Sequence, residues 1–316
     1  MTKSERPVLV TGGAGFIGSH LVRRLIRDGH PVVVLTRETT DMHRIADVAP
    51  RLTVLRNDMS DERRLAGLLQ ELSPIGVFHC ASSNIKQGVA APEDELIRAN
   101  VAGTIHLVNA LRDVQYRFFV NCGSYLEYGT HDTPLKESDR CEPLEIYALT
   151  KLAGTLYCQA AARAAKKPII TFRIFSPYGP AMERGRLVDN VIRHALRNED
   201  ISLTSPDVSR DFIFVEDMAD LYMEAMEKAE AHGGEVFNLA SGKAVTLKEF
   251  AELVLRVTGS SSKLIWGGAK AVSYDKGCQE ANMQKTYNAF AWRPTRDLKA
   301  GITKIIEAVE TEARNT

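Results

Sequence analysis

Through the first half of the chain, short apolar runs alternate with longer stretches whose apolar residues recur at helical spacing. Val8–Thr11 is an apolar run that stops at glycines. Phe16, Ile17, Leu21, Val22, Leu25 and Ile26 then fall three to five residues apart or in adjacent pairs, the pattern of a helix with one buried face. Asp28-Gly29-His30-Pro31 ends that helix, because glycine suits its C-terminal turn and proline cannot continue it. Val32–Leu35, Leu52–Leu55, Val77–Cys80, Phe118–Cys122 and Ile169–Phe175 read as further buried strands. Helical patterns separate them, notably Glu93–Arg112 and Tyr147–Lys166. Near-continuous apolar strands alternating with helices predict an α/β fold with a doubly wound parallel sheet, covered on both faces.

After Phe175 the pattern loosens. Ser176-Pro177-Tyr178-Gly179-Pro180 reads as a loop, Leu187–Leu196, Val215–Ala229, Leu247–Val257 and Ile302–Thr311 as helices, and Val236–Leu239 as a strand. The expected division is a Rossmann domain over 1–175 plus about 214–239, and a smaller mixed α/β C-terminal lobe for substrate over about 176–213 plus 240–316. No internal repeat or low-complexity tract interrupts this order.

Composition narrows the function classes. A chain of 316 residues suffices for one large domain or a large domain with a lobe. Lys plus Arg and Asp plus Glu are 40 each, so net charge gives no case for nucleic acid or an anionic membrane as partner. No apolar stretch approaches the ~18 residues of a membrane span. Residues 1–7 are polar and lack a signal-peptide pattern. The five cysteines (80, 122, 141, 158 and 278) form no C-x-x-C and read as reduced thiols, so the expected location is cytoplasmic. The eight histidines show no ligand spacing, and no metal is expected.

Chemistry first shows in Thr11-Gly12-Gly13-Ala14-Gly15-Phe16-Ile17-Gly18, between the first strand and the first helix. Gly12, Gly15 and Gly18, or Gly13, Gly15 and Gly18, give the spacing of a dinucleotide fingerprint. The chain turns sharply, a pyrophosphate must approach the backbone, and the helix must pack close to the strand. The helix N-terminus, beginning at Phe16 and Ile17, offers free N–H groups and a favourable dipole to the phosphates. A carboxylate after the second strand would bind a ribose 2′-hydroxyl and repel a 2′-phosphate. Here Thr36 stands in that place and Arg37 follows, which favours NADP(H); Glu38, one residue on, keeps NAD as the alternative. Asp58, after the third strand, is placed to meet the adenine.

Tyr147-Ala148-Leu149-Thr150-Lys151 puts a phenol and an ammonium four residues apart on one helix face. A free tyrosine, with a pKa near ~10, is a poor base at neutral pH. A neighbouring lysine cation and the nicotinamide charge stabilise the phenolate and fit it for proton transfer. Ser124 precedes this pair at a strand end.

At this point the chain resembles the extended short-chain dehydrogenases, the NAD-dependent epimerase/dehydratase family of nucleotide-sugar enzymes. The resemblance covers nearly the whole chain. It rests on the glycine loop, the Y-x-x-x-K, Asn100-Val101-Ala102-Gly103-Thr104, Tyr128-Gly129, Arg173 to Pro180 and Arg210-Asp211-Phe212-Ile213-Phe214-Val215-Glu216-Asp217. It implies that Ser124 hydrogen-bonds the reacting sugar oxygen, Tyr147 is the general acid/base, and Lys151 binds the nicotinamide ribose and tunes the tyrosine. Ala81 and Asn100 join the expected cofactor contacts. Arg210 is the expected holder of the substrate diphosphate, a task that suits a bidentate guanidinium. The bland reading of Arg210 is an ion pair with neighbouring Asp211. Ser176 is expected at the substrate, where the family commonly has asparagine. Ala271-Val272-Ser273-Tyr274-Asp275-Lys276 lacks the second phosphate-binding arginine of many members, with Lys276 as its possible substitute.

The main functional expectation is reduction of a nucleotide-linked 4-keto-6-deoxyhexose by NADPH. The alternative is an NAD-dependent nucleotide-sugar 4-epimerase, and a non-enzymatic NADP sensor is the different-class reading. Dehydration is not expected, because Tyr125 and Leu126 follow Ser124 where a dehydratase carries an acidic pair. The resemblance also implies a homodimer that pairs Glu93–Arg112 with Leu149–Lys166, where the Ala-rich run 160–165 allows close approach.

Overall fold

The computed structural model describes residues 6–84, 91–272 and 275–314. Twelve strands occur among them: β1 (Val8–Thr11), β2 (Val32–Thr36), β3 (Thr53–Arg56), β4 (Gly76–His79), β5 (Phe118–Ser124), β6 (Ile169–Ile174), β7 (Ser176–Tyr178), β8 (Ile201–Leu203), β9 (Ser209–Phe214), β10 (Val236–Leu239), β11 (Ala244–Thr246) and β12 (Leu264–Trp266). The helices are α1 (Phe16–Arg27), α2 (Glu62–Leu72), α3 (Glu93–Leu96), α4 (Gly103–Ala110), α5 (Ile146–Ala165), α6 (Leu187–Leu196), α7 (Val215–Lys228), α8 (Leu247–Thr258), α9 (Gln284–Ala289) and α10 (Leu298–Arg314).

Seven strands form one sheet in the order β10-β6-β5-β4-β1-β2-β3. Every pairing in it is parallel. This is the Rossmann order 3-2-1-4-5-6 with β10 added at one edge, and it places the crevice at the carboxyl ends of β1 and β4. The chain reverses its strand order there, so connections leave in opposite directions and a groove opens between them.

Alternation along each strand divides the core. Val8, Val10, Phe78, Val120 and Phe172 face one apolar cluster with α1 and α7, whereas Leu9, Val77 and Phe119 face the other with α2, α4 and α5. A third cluster joins Tyr178, Phe212, Phe214, Phe250, Val254 and Ile302 among α6, α8, α10 and the small sheets β11-β9-β7 and β12-β8.

Four features differ from the sequence expectation. The helix expected over Glu93–Arg112 is broken by a π-helical turn at Ile97–Ala102. Periodicity does not reveal this, because one wide turn barely disturbs the apolar spacing. The expected loop at Ser176 is strand β7, paired in parallel with β9. Residues 281–292, assigned by sequence to the smaller lobe, put Ala281, Met283, Phe290 and Trp292 into the cluster beneath the large sheet. The last helix starts at Leu298, four residues before the expected Ile302.

Candidate active site

The glycine loop works by close approach. Gly12 has φ +68°, and a Cβ on it would lie 2.5 Å from the Ala81 amide nitrogen. A Cβ on Gly18 would lie 2.2 Å from the Gly12 carbonyl oxygen. The Gly15 N–H donates to Gly12 O at 2.9 Å, closing the turn that starts α1. Phe16 and Ile17 open the helix, and Gly13 packs on Val34. These are bare-backbone positions that accept a pyrophosphate, so the loop fits a dinucleotide.

At the end of β2, Thr36 is buried and its hydroxyl lacks a hydrogen-bond partner. An orphaned buried hydroxyl next to a glycine loop is a ready contact for a ribose. The Arg37 side chain is exposed, and its backbone carbonyl accepts from Arg56 Nη1 at 2.9 Å. Asp58 is exposed. Desolvation pushes its carboxyl up, but the Ser60 hydrogen bonds and the charges of Arg37 and Arg98 outweigh this and hold it below its ordinary value. Basic charge is therefore present at this end of the groove, and a carboxylate directly after β2 is not.

Ser124 is the last residue of β5 and caps the short helical turn Tyr125–Tyr128. Its Oγ accepts from the Leu126 N–H at 3.2 Å, and its own N–H donates to Glu127 Oε1 at 2.8 Å. Glu127 is fully buried. It also accepts from Thr155 Oγ1 at 3.0 Å and pairs with Arg173 at 2.9 Å. The Arg173 guanidinium lies 4.3 Å from the Tyr128 ring centre. Glu127 is thus locked under Ser124 as a support, which sequence spacing alone does not reveal.

Tyr147 lies in the first turn of α5, half-buried, and Lys151 one turn on is buried. Helix α5 packs on β5 and β6. The Lys151 charge acts on His79, Cys80 and Cys122, which places the ammonium beneath the ends of β4 and β5. Ser124 ends β5 and the glycine loop follows β1, so both lie at the carboxyl ends of the parallel strands, where the Lys151 charge is also felt, and Tyr147 is one turn before Lys151 on α5. Cys122 and Cys80, neighbours across β5 and β4, lie 3.4 Å apart between sulfurs and are free thiols.

Asn100 lies in the π-helical turn that precedes α4. Its buried amide accepts from the Ser83 N–H at 2.8 Å and donates to Ser83 O and Thr150 Oγ1, both at 3.0 Å. With these partners it ties the π-helical turn to α5. Arg210 is buried and pairs with Asp275, while Nη1 donates to Ser209 O at 2.8 Å. Asp211 is not its partner, because successive strand residues face opposite sides. Asp211 instead accepts from Ser241 Oγ and from the N–H groups of Ser241, Gly242 and Ala281. Arg210 and Asp275 line a cleft of about 260 Å³ with Ser205, Asp207 and Gln279. Ser176 starts β7 opposite Phe212, and Lys276 is exposed. Ser273 and Tyr274 lie outside the described residues.

The model of the NAD-dependent epimerase/dehydratase family matches residues 8–240. The chain belongs to this family. The family match runs from β1 through β10 and so takes in the whole large sheet. A putative UDP-glucose 4-epimerase of Methanocaldococcus jannaschii is 26% identical over 97% of this chain and 99% of its own. The UDP-glucose 4-epimerase of Thermotoga maritima, solved with UDP-glucose, superposes with a TM-score of 0.88 at 22% identity, covering 97% of this chain and 99% of that one, a likeness of fold. MoeE5, solved with UDP-glucose and NAD, superposes with a TM-score of 0.85 at 27% identity over 97% and 99% of the two chains. Among the described residues, no helix is long and apolar enough to cross a membrane.

Proposed function

We propose that this protein is an NAD-dependent nucleotide-sugar 4-epimerase, with Ser124, Tyr147 and Lys151 as its reacting-centre residues. The observation that carries the reading is that Ser124 and the glycine loop share the carboxyl ends of the parallel strands while Glu127, the one carboxylate on Ser124's turn, is held by the Ser124 N–H, Thr155 and Arg173. Bound dinucleotide supplies a reversible hydride acceptor. Ser124 holds the C4 oxygen of the sugar. Tyr147 takes the proton of that hydroxyl as hydride leaves C4, and returns it when hydride comes back to the other face. Lys151, one helical turn from Tyr147, would bind and orient the nicotinamide ribose. Glu127, paired with Arg173, is not free to remove a C5 proton, and Tyr125 and Leu126 carry no carboxylate. That leaves exchange at one carbon and disfavours dehydration.

The name of the M. jannaschii relative and the NAD and UDP-glucose bound to MoeE5 support epimerisation over the net reduction expected from sequence. They also support NAD over NADP(H) and a UDP-sugar as substrate. Reduction by NADPH stands as the second reading on one observation: Thr36-Arg37 replaces the acidic residue at the end of β2. The substrate contacts come from Ser176 and Arg210 in the smaller lobe, built around β7, β9 and α8. Ile97, Leu149 and Leu156 are each more than half exposed, and Leu149 and Leu156 lie two turns apart on α5. This apolar face supports a homodimer through α5 and the turn before α4.

The deciding experiment is a mass spectrum of the cofactor retained on purification, followed by an assay with UDP-glucose and UDP-galactose. Retained NAD with interconversion of the two sugars and no net NADH or NADPH consumption is the expected result. Stoichiometric NADPH oxidation with a 4-keto sugar nucleotide would establish the reductase instead.

A further inference from the structure

His79, the last residue of β4, is 2% exposed and has no part in the mechanism above. Its Nδ1 lies 2.7 Å from Thr11 Oγ1, and its Nε2 lies 2.9 Å from Thr104 Oγ1. The supply of protons fixes the ring. Thr104 donates its hydroxyl proton to Asn100 O at 2.8 Å, so Nε2 must be the donor to Thr104. The ring is then the neutral Nε2–H tautomer, and Nδ1 accepts the Thr11 hydroxyl proton. Thr11 Oγ1 in turn accepts from the Ala81 N–H at 3.3 Å.

The same chain continues towards the proposed acid/base. Asn100 donates to Thr150 Oγ1 at 3.0 Å, and the Thr150 hydroxyl donates to Tyr147 O at 2.8 Å. Thr11, His79, Asn100, Thr104 and Thr150 are all buried. Each donor along this path has one acceptor and no proton is left over. One end of the path is Ala81, against which Gly12 packs. The other end is the helical turn that carries Tyr147 and Lys151.

We propose that His79, as a neutral hydrogen-bond bridge between Thr11 and Thr104, is a positioning residue that holds the cofactor loop and the Tyr147–Lys151 turn in one fixed relation. The inference rests on the reading of Tyr147 as acid/base. The physical basis is that the bridge crosses between two rigid parts: the end of β1 and β4 on one side, and the π-helical turn of Asn100 on the other. Without it, the glycine loop and α5 remain folded and Asn100 still bonds Ser83 and Thr150, but the directional link from Thr11 at the end of β1 to Thr104 is lost, and the apolar packing left there tolerates sliding that a hydrogen bond does not. A ring cation there would also lie beside Lys151 in a buried place, and both burial and that charge keep the ring neutral.

Two measurements test this. In the intact protein, ¹⁵N NMR of the His79 ring should show one neutral tautomer, protonated at Nε2, from pH 8 down to 5; an Nδ1–H tautomer, or titration in that range, overturns the proposal. In the epimerase assay, His79→Phe, which keeps a flat ring and loses both hydrogen bonds, should lower kcat about 10- to 100-fold with little change in KM. It should also move the pH dependence of kcat, since Tyr147 and Lys151 shift relative to the cofactor. His79→Gln, whose amide reaches Thr104 as a donor, should recover most of the loss. A folded His79→Phe with wild-type kcat and pH profile overturns the proposal. If His79→Phe does not fold, Thr104→Val removes the acceptor for His79 together with the donor to Asn100 O, and is held to the same two outcomes. Tyr147→Phe serves as the control in the same assay: if it stays active, the acid/base reading has failed, whatever His79 does.

Discussion

Glu127→Gln removes one charge from the most enclosed ion pair of the molecule. The Glu127 and Arg173 side chains are 0% and 5% exposed, and their atoms meet at 2.9 Å. Burial works against the Arg173 charge, and Glu127, with smaller help from Tyr128 and Cys141, more than offsets it, raising the guanidinium's pKa. Among the described residues Glu127 is the one carboxylate paired with Arg173; Nη1 is buried with no hydrogen-bond partner among them, Nη2 meets the weak acceptor Cys141 Sγ at 3.0 Å, and the Tyr128 ring adds a neutral contact. Glutamine keeps an oxygen for the Ser124 and Thr155 donors but turns either a neutral oxygen or an N–H toward Arg173. Leaving one partner of a buried pair uncompensated costs about 3–5 kcal/mol. With an unfolding entropy of about 2.1 cal/mol/K per residue, a chain of this length loses about 5–8 °C of melting temperature. The assay is urea unfolding followed by circular dichroism, with calorimetry for the melting temperature. Adding Arg173→Met should restore part of the loss, because it removes the stranded charge. The single variant should also lose activity, since Glu127 holds the Ser124 N–H. A loss below about 1 kcal/mol would refute the view that Arg173 depends on this one carboxylate.

Three further outcomes are expected. Tyr147→Phe should reduce turnover about 10²–10⁴-fold while retaining the dinucleotide, measured by steady-state kinetics and by the cofactor content of the purified variant. Leu149→Glu with Leu156→Glu should convert a dimer to a monomer in light scattering; an unchanged mass would remove α5 from the interface. His79 should make the protein acid-sensitive. Burial, then the Lys151 charge, push its pKa down to about 3, below the unfolded value of about 6.5. Its contribution to stability is therefore complete above about pH 6.5 and is lost as pH falls towards 3. Between pH 7 and 4 this amounts to about 3 kcal/mol. It is read as the difference between wild type and His79→Gln, so that carboxylates common to both cancel, and equal pH slopes for the two would contradict it.

The sequence alone determined the parallel α/β architecture and the glycine loop, and marked the Tyr147–Lys151 pair as a candidate. Each of these depends on local periodicity or on spacing within one element. Buried strands must be near-continuously apolar. A helix start beside a pyrophosphate must lack Cβ atoms at Gly12 and Gly18. Two side chains four apart on α5 must share a face. Those constraints act within a few residues and are written in order along the chain.

Tertiary structure decided where residues far apart in sequence meet. Arg210 has Asp211 beside it in sequence, yet strand alternation sends the two to opposite faces, and Asp275, 65 residues on, supplies the charge. Asn100 sits in a motif expected to touch cofactor, and the widened helical turn aims its amide at Ser83 and Thr150. His79 reads in the sequence as the end of an apolar run. Only the pairing of β1 with β4, and the packing of α4 beneath them, puts a threonine hydroxyl on each ring nitrogen. Glu127 follows Ser124 by three residues, one beyond the positions where a dehydratase carries its acidic pair, and the sequence gives it no role. The fold makes it a support instead, because β6 brings Arg173 up to its carboxylate in an interior where an unpaired charge is too costly to leave free.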